Sequence, residues 1–267
     1  LPEMAPTILD GTLTVGANRT WRGWRGDLSS TIGNARIDYY INNSFNQSLG
    51  AASPIDFYNG AHRFTQLVNN LDVRRAFPLA EKALLNVSFG LEQRTEIFRS
   101  FAGEFASYGD GTPDVTDRVG SESFSGLRPA DVVYGRRGNI GFYAEVSSDL
   151  SPRLQLGAAA RHEYYSDFGG NLSWKINGLL RVIPEKINVR MALGNGFRAP
   201  SLHQVHFTST TTTLTPDGVV QNRILNNRDP ALDLLQIPEL QPETSLNLST
   251  GMTCRLTPRW EVSADLY

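Results

Sequence analysis

The 267 residues, 40% hydrophobic and 19% charged, suffice for one large all-β domain or two ordinary ones and are too apolar for a disordered chain. Mean hydropathy is -0.28 and no run of about 18 uncharged apolar residues occurs, which excludes a helical membrane span but not a β-barrel, whose strands meet lipid only at every second residue. A formal charge of -2 gives no reason to expect nucleic acid as a partner, and the lone cysteine, Cys254, excludes an internal disulfide and a cysteine-built structural metal site. The start, Leu1-Pro2-Glu3-Met4, lacks a basic stretch followed by an apolar core, so a signal peptide is absent or already removed.

Along the chain the recurring unit is an alternating run of roughly ten residues followed by a turn or loop. Runs near 11–18, 27–42 and 64–77 are irregular, although Tyr39/Ile41 and Leu71/Val73/Phe77 fit. Residues 83–94 are clear: Leu85, Val87, Phe89 and Leu91 oppose Asn86, Ser88, Glu92 and Arg94. The same alternation predicts strands at 139–147, 154–163, 172–182, 187–198, 246–256 and 260–267, about ten in all. Short turns fall near 19–22, 78–82, 150–153, 183–186 and 257–259. Long polar segments fall near 43–62, 97–137 and 203–240, and Asp167-Phe168-Gly169-Gly170 is a short hairpin tip. Short turns on one rim and longer connections on the other are the pattern of an antiparallel transmembrane β-barrel, with short periplasmic turns and long extracellular loops.

The polar face favours a wet lumen over a soluble sandwich, because Arg, Glu, Asn and Tyr recur on it strand after strand. Trp21, Trp24, Phe77, Tyr164, Tyr165, Phe197 and Trp260 lie near predicted strand ends, where an interfacial girdle would sit. The plainer alternative is that aromatics are common in strands.

Residues 194–207, Gly-Asn-Gly-Phe-Arg-Ala-Pro-Ser-Leu-His-Gln-Val-His-Phe, closely resemble the GFRAPSL strand of TonB-dependent outer-membrane receptors. Residues 238–247, Pro-Glu-Leu-Gln-Pro-Glu-Thr-Ser-Leu-Asn, resemble that family's PxLxPExSxN segment. Asp27-Leu28-Ser29 with 43–54, Ala102–Tyr108, and Tyr165–Gly169 resemble a Bacteroidetes-like version of the family. The resemblance spans about 20 to 267. It implies a bacterial outer-membrane location, about ten of roughly 22 strands, and a lumen normally filled by a plug. Residues 1–267 then read as one barrel portion, with the plug domain and C-terminal strands absent. It also implies a partner TonB complex acting through that plug, surrounding outer-membrane lipid, and no enzymatic activity or cofactor.

Candidate site residues follow from position and chemistry. Arg99, Tyr108, His203, His206, Arg223 and Arg228 occupy predicted loops, where cationic and aromatic groups suit an anionic ligand such as a ferric siderophore or other iron chelate. Arg94, Glu145, Arg161, Glu163, Arg190 and Arg198 fall on the polar face and are candidates to meet a plug. Gly194 and Gly196 would leave room for close packing, Pro200 ends regular pairing, and a strand end with no ligand role is the plainer reading of that segment.

Tempting motifs have dull explanations. Asp167-Phe168-Gly169 lacks every other kinase element. His203 and His206 lack the glutamate of a helical zinc motif and read as a solvated loop pair. Asp110, Asp114 and Asp117 share a loop that is either plainly acidic or a calcium site of unfamiliar spacing. No nucleophile–base pair stands out. Two other functions stay open: import of an oligosaccharide or peptide, and, in a different class, a soluble β-sandwich for adhesion. Few tryptophans in the long loops weigh mildly against sugar.

Overall fold

A computed structural model describes residues 1–80, 83–111, 119–215 and 218–267. Its strands are β1 (Glu3–Met4), β2 (Thr7–Trp21), β3 (Trp24–Asn42), β4 (Phe57–Ala80), β5 (Ala83–Phe101), β6 (Tyr134–Ser151), β7 (Leu154–Tyr165), β8 (Gly169–Ile183), β9 (Ile187–Arg198), β10 (Ser209–Thr215), β11 (Gly218–Ile224), β12 (Glu243–Thr257) and β13 (Trp260–Leu266). Short helices α1 (Phe105–Tyr108), α2 (Leu202–His206) and α3 (Pro230–Leu234) lie in the connections. All strands except β10 and β11 form one antiparallel meander, each long strand paired to its neighbours in chain order. Strands β1 and β2 share one edge of β3, interrupted at Pro6, which has no N–H for the ladder. The ten long strands are a partial barrel, and β10–β11 is a separate hairpin inside a loop.

The convex face decides against a sandwich. A continuous cross-strand row runs Leu28, Leu71, Leu91, Phe142, His162, Leu172. Leu28 is 58% exposed, Phe142 50% and Leu172 55%. A second packed sheet would have covered these side chains. A sheet that turns apolar residues outward on every strand instead needs hydrocarbon there.

Turn chemistry sets the periplasmic rim. Arg22 (φ 49°) and Gly23 (φ 83°) form a two-residue turn whose twist matches the flanking strands. Near this rim, Trp24 packs edge-on to Phe77 and Phe89, with the Arg75 guanidinium 4.6 Å from the Phe77 ring, while Trp21 and Trp260 stand exposed. Tyr165, expected in the girdle, is instead buried on the concave side at 7% exposure, its ring stacked 4.4 Å from Phe168.

Strands β3 to β6 run to 19, 24, 19 and 18 residues, well past the roughly ten that cross a membrane. Alternation missed the upper ends of β4, β5 and β6 because the outward face turns mixed above the apolar band: on β5, Gln93, Thr95 and Arg99 break up the outward series Leu85–Leu91, with Ile97 between them. The buried core lies up here. Ile41, Phe57, Ala61, Phe98, Leu127, Leu202 and Val205 are at most 7% exposed and gather where loops cover the upper wall.

Two segments that looked like family motifs meet in space. Asn46, fully buried, donates from Nδ2 to the carbonyls of Ala106 (2.8 Å) and Gly109 (2.9 Å), while its Oδ1 accepts from Ser48 N (3.1 Å) and Oγ (2.8 Å). Asn59 Nδ2 donates to Ser121 Oγ at 2.8 Å and to the Phe124 carbonyl. Asp131, 1% exposed, accepts from Thr210 N (3.2 Å) and Oγ1 (3.0 Å), tying the β10–β11 hairpin to the same block. Asn46→Ala removes the donor to the Ala106 and Gly109 carbonyls and the acceptor of Ser48 N, and is expected to cost about 2–3 kcal/mol. Hydrogen exchange on the intact receptor should show faster exchange concentrated in residues 102–111 and 119–133; unchanged protection there would refute this role for Asn46.

Candidate ligand-facing mouth and lumen

The concave face carries a connected set of charges because the lumen-side residues of adjacent strands come into register. Arg94 Nη2 donates to Glu92 Oε1 at 2.6 Å. Arg161 Nη2 lies 3.2 Å from Glu92 Oε2 and donates to Glu163 Oε1 at 3.1 Å, and Tyr165 Oη donates to the same oxygen at 3.3 Å. Glu145 lines a cleft lower on this wall with Arg25, Asp27, Asp72, Arg74 and Tyr143. On the far strands Arg190 is held by Asp265 at 2.5 Å and donates to Thr253 Oγ1 at 2.9 Å; Arg198 lies 3.7 Å from Glu243. Each lumen arginine predicted from sequence therefore has a carboxylate partner within the wall.

Gly194 and Gly196 serve the wall itself. A Cβ on Gly194 would sit 2.7 Å from the Trp174 carbonyl, and one on Gly196 would sit 2.5 Å from Ser245 Oγ. The close neighbours are strands β8 and β12. Beyond Arg198 the chain leaves the ladder, Pro200 intervenes, and Ser201 caps α2. Ser201 Oγ accepts from Gln204 N (3.2 Å) while Gln204 Oε1 accepts from Ser201 N (2.8 Å), a reciprocal capping box.

That cap aims α2 into the mouth. Leu202 and Val205 are buried, and His203 packs against Phe98 (5.3 Å), His62 (5.6 Å) and Phe207 (4.8 Å). Of the expected solvated pair, His206 is half-buried, while His203 packs on these rings and keeps its solvent exposure. The His206 ring lies against Gly135, whose missing Cβ makes the space: one placed there would be 2.7 Å from His206 Nε2. Tyr39 Oη and His62 Nδ1 are 3.1 Å apart. Burial pushes all three imidazoles below 6.5: His62, beside His203, to about 4; His203 by burial alone; and His206 by burial and then by Arg228 and Arg137.

Next to α2, Arg137 on β6 is 3% exposed, donating from Nε to both oxygens of Asp167 (2.8 and 3.1 Å), with Glu96 at 3.6 Å. Its guanidinium lies 5.2 Å from the Phe168 ring. Arg137, Asp167, Phe168, Arg228, Glu239 and Gln241 help line a cleft of about 180 Å³. His206 and Arg228 thus belong to this corner. Arg223, on β11, pairs with Asp229 at 3.8 Å. Tyr108 packs on Phe105 in α1, and Arg99 lies on the convex face over Phe101, so neither joins the cleft. Sequence reasoning missed Arg137, His62 and Phe98. Carrying the alternation two residues before Asn139 would have found Arg137; nothing local marks His62 and Phe98. Asp114 and Asp117 of the acidic loop lie outside the described residues.

With this geometry in place, the family follows. The model for "TonB dependent receptor-like, beta-barrel" matches residues 7–267. The chain belongs to the TonB-dependent receptor β-barrel family. No curated protein matches it in sequence. Among solved structures it is similar to the siderophore receptor PirA from Acinetobacter baumannii (14% identity, TM-score 0.64, covering 97% of this chain and 34% of that one). A mutant of the ferric enterobactin receptor PfeA from Pseudomonas aeruginosa gives the same figures. The RagAB peptide importer in its open-open state gives 13% identity and TM-score 0.58, covering 99% and 30%. These likenesses establish a shared barrel architecture, and this TonB-dependent receptor barrel chain spans about a third of each.

Two expectations follow from the mouth. Arg137→Ala leaves Asp167 nearly buried without its counter-ion, so the intact receptor should lose roughly 3–5 kcal/mol in denaturant unfolding; a loss below about 1 kcal/mol would mean the pair contributes little. His62 stays neutral to about pH 4 while docked but titrates near 6.5 when exposed. The undocked state takes the proton first, so docking of α2 weakens as pH falls from about 6.5 to about 4. Amide exchange in α2, corrected for intrinsic rate, should rise between pH 7 and pH 5, and His62→Leu should reduce that rise, leaving the part due to His203 and His206.

Proposed function

We propose that this chain forms part of the barrel of a bacterial outer-membrane receptor that imports a scarce nutrient with energy delivered through TonB, and that the nutrient is a ferric siderophore or similar iron chelate. The observation that carries the reading is the cleft at the mouth, where Arg228 stands with the Phe168 ring and the buried Arg137–Asp167 pair, and His206, packed on Gly135, lies near enough to feel Arg228, Arg137 and Asp167. Guanidinium and imidazole donors next to an aromatic face suit a bulky anionic chelate. Ligand contact is assigned to His206 and Arg228, with Arg223 at the edge and His203 acting by docking α2. The charged ladder of Arg94, Glu145, Arg161, Glu163, Arg190 and Arg198 is assigned to the plug-facing wall. Two of the similar structures are siderophore receptors, which supports the cargo class.

A second cargo is favoured by one feature. Arg228 and Glu239 give the cleft both signs of charge, which suits a zwitterionic peptide, and RagAB is a peptide importer. Binding to the purified intact receptor separates the two. A panel of ferric chelates should include one that binds saturably, and Arg228→Ala and His206→Ala should each weaken it roughly tenfold, the loss of about one charge-assisted contact. Binding of peptides with every chelate inert would replace this reading with the second.

A further inference from the structure

Above the apolar band, the convex face carries three arginines in one row. Arg36 pairs in register with Arg63, and Arg63 with Arg99, on adjacent strands. Residues directly opposite on one face stand about 5 Å apart, and like charges there repel. Asp38 is the carboxylate on this patch, and it is held by Arg36, which donates from Nε (2.7 Å) and Nη2 (2.6 Å). Arg63 and Arg99 make no salt bridge among the described residues and are exposed, although Asp38 also attracts Arg63 at longer range. All three guanidiniums converge on one ring: they lie 4.7, 5.5 and 4.9 Å from the centroid of Phe101. Arg136, beside them on β6, is exposed on the same face.

Height decides what such a row meets. The outward apolar series on β4 ends at Leu67, four positions below Arg63. Four residues of strand rise about 13 Å, or roughly 10 Å along the membrane normal at barrel tilt. That places the guanidiniums, which reach several ångströms back along their stems, in the headgroup layer just outside the hydrocarbon. A planar guanidinium matches a phosphate with two parallel hydrogen bonds. We infer that Arg36, Arg63 and Arg99, arrayed around Phe101, form a docking site for the phosphate-bearing headgroup of an outer-leaflet lipid. The bound phosphate relieves the repulsion along the row. The inference rests on the membrane placement proposed above.

The test uses the intact receptor in neutral detergent. It is incubated with a diphosphorylated glycolipid, with the same lipid dephosphorylated, and with inorganic phosphate, and retained lipid is counted by native mass spectrometry. The phosphorylated lipid should be retained, and Arg63→Gln/Arg99→Gln should cut retention at least about tenfold, two charge-assisted contacts being lost. Arg63→Lys/Arg99→Lys, which keeps the charge, should retain most of it. Dephosphorylated lipid should not distinguish these variants. Heat-dependent gel mobility reports folding, and the two single glutamine variants carry the same comparison if the double variant does not insert. Equal retention of phosphorylated lipid by parent and glutamine variants overturns the site. So does its displacement by millimolar inorganic phosphate, which would mark a free-anion site. Monomeric solubility without detergent would instead overturn the membrane placement.

Discussion

The constraint on which this structure depends is that apolar side chains point outward while the backbone must satisfy itself. In hydrocarbon an unpaired N–H or C=O costs several kcal/mol, so every strand at membrane level needs a partner on each side. The antiparallel pairing runs from β2 to β9 and on through β12 and β13, with register shifts only near strand ends. Side-chain burial contributes little at that level: of the buried apolar residues among those described, Ala83 alone sits near the periplasmic rim, and the rest cluster at the outer end. The ladder and the surrounding lipid hold the lower wall, and a small dry core holds the mouth.

That division explains why the loops are built as they are. A loop above a barrel has no sheet to lie on unless the wall rises to meet it, and β3 to β6 do so. Against this raised wall, buried asparagines take over backbone pairing that strands no longer supply. Asn46 and Asn59 act as side-chain substitutes for a ladder, joining segments about sixty residues apart. Asp131 extends the same device to the β10–β11 hairpin. The mouth is therefore a packed unit that can position a histidine helix and an arginine-lined cleft.

What could be read from sequence tracks which physical signal each part obeys. Lipid on one side and a wet lumen on the other impose a strict period of two, so Leu85 to Leu91 announced their strand and its faces. Above Leu91 the outward face of the same strand turns mixed, with Gln93, Thr95, Ile97 and Arg99, while its inner face packs Phe98 and Ser100 into the core; the period blurs, and 97–101 read as loop. Turn residues such as Arg22-Gly23 have local chemistry and were placed to within about two residues. The candidate site was legible only in part. His206 and Arg228 could be nominated as loop cations, but their junction with Arg137 requires a hairpin tip at Asp167, a capped helix and a strand end to converge. Tyr165 looked like a girdle residue because position in sequence gives the strand end without saying which side of the wall the ring takes.

The lumen wall poses a problem of exchange. Four of its arginines are already matched: Glu92 sits between Arg94 and Arg161, Asp265 holds Arg190, and Glu243 attends Arg198; Arg25 and Arg74, opposite each other lower on the wall, make no salt bridge among the described residues. A plug surface entering such a lumen gains little by offering a carboxylate to an arginine that must first release one. The gain from the new pair and the loss of the old nearly cancel, and both sets of charges keep partners throughout. Bare charges would hold a plug tightly at first contact and resist its removal. A wall of satisfied pairs instead favours register and orientation over strength, because mismatched charges are penalised while matched ones merely trade partners. On the import reading proposed above, a plug that rearranges within the lumen needs that balance, and this wall has the chemistry to provide it.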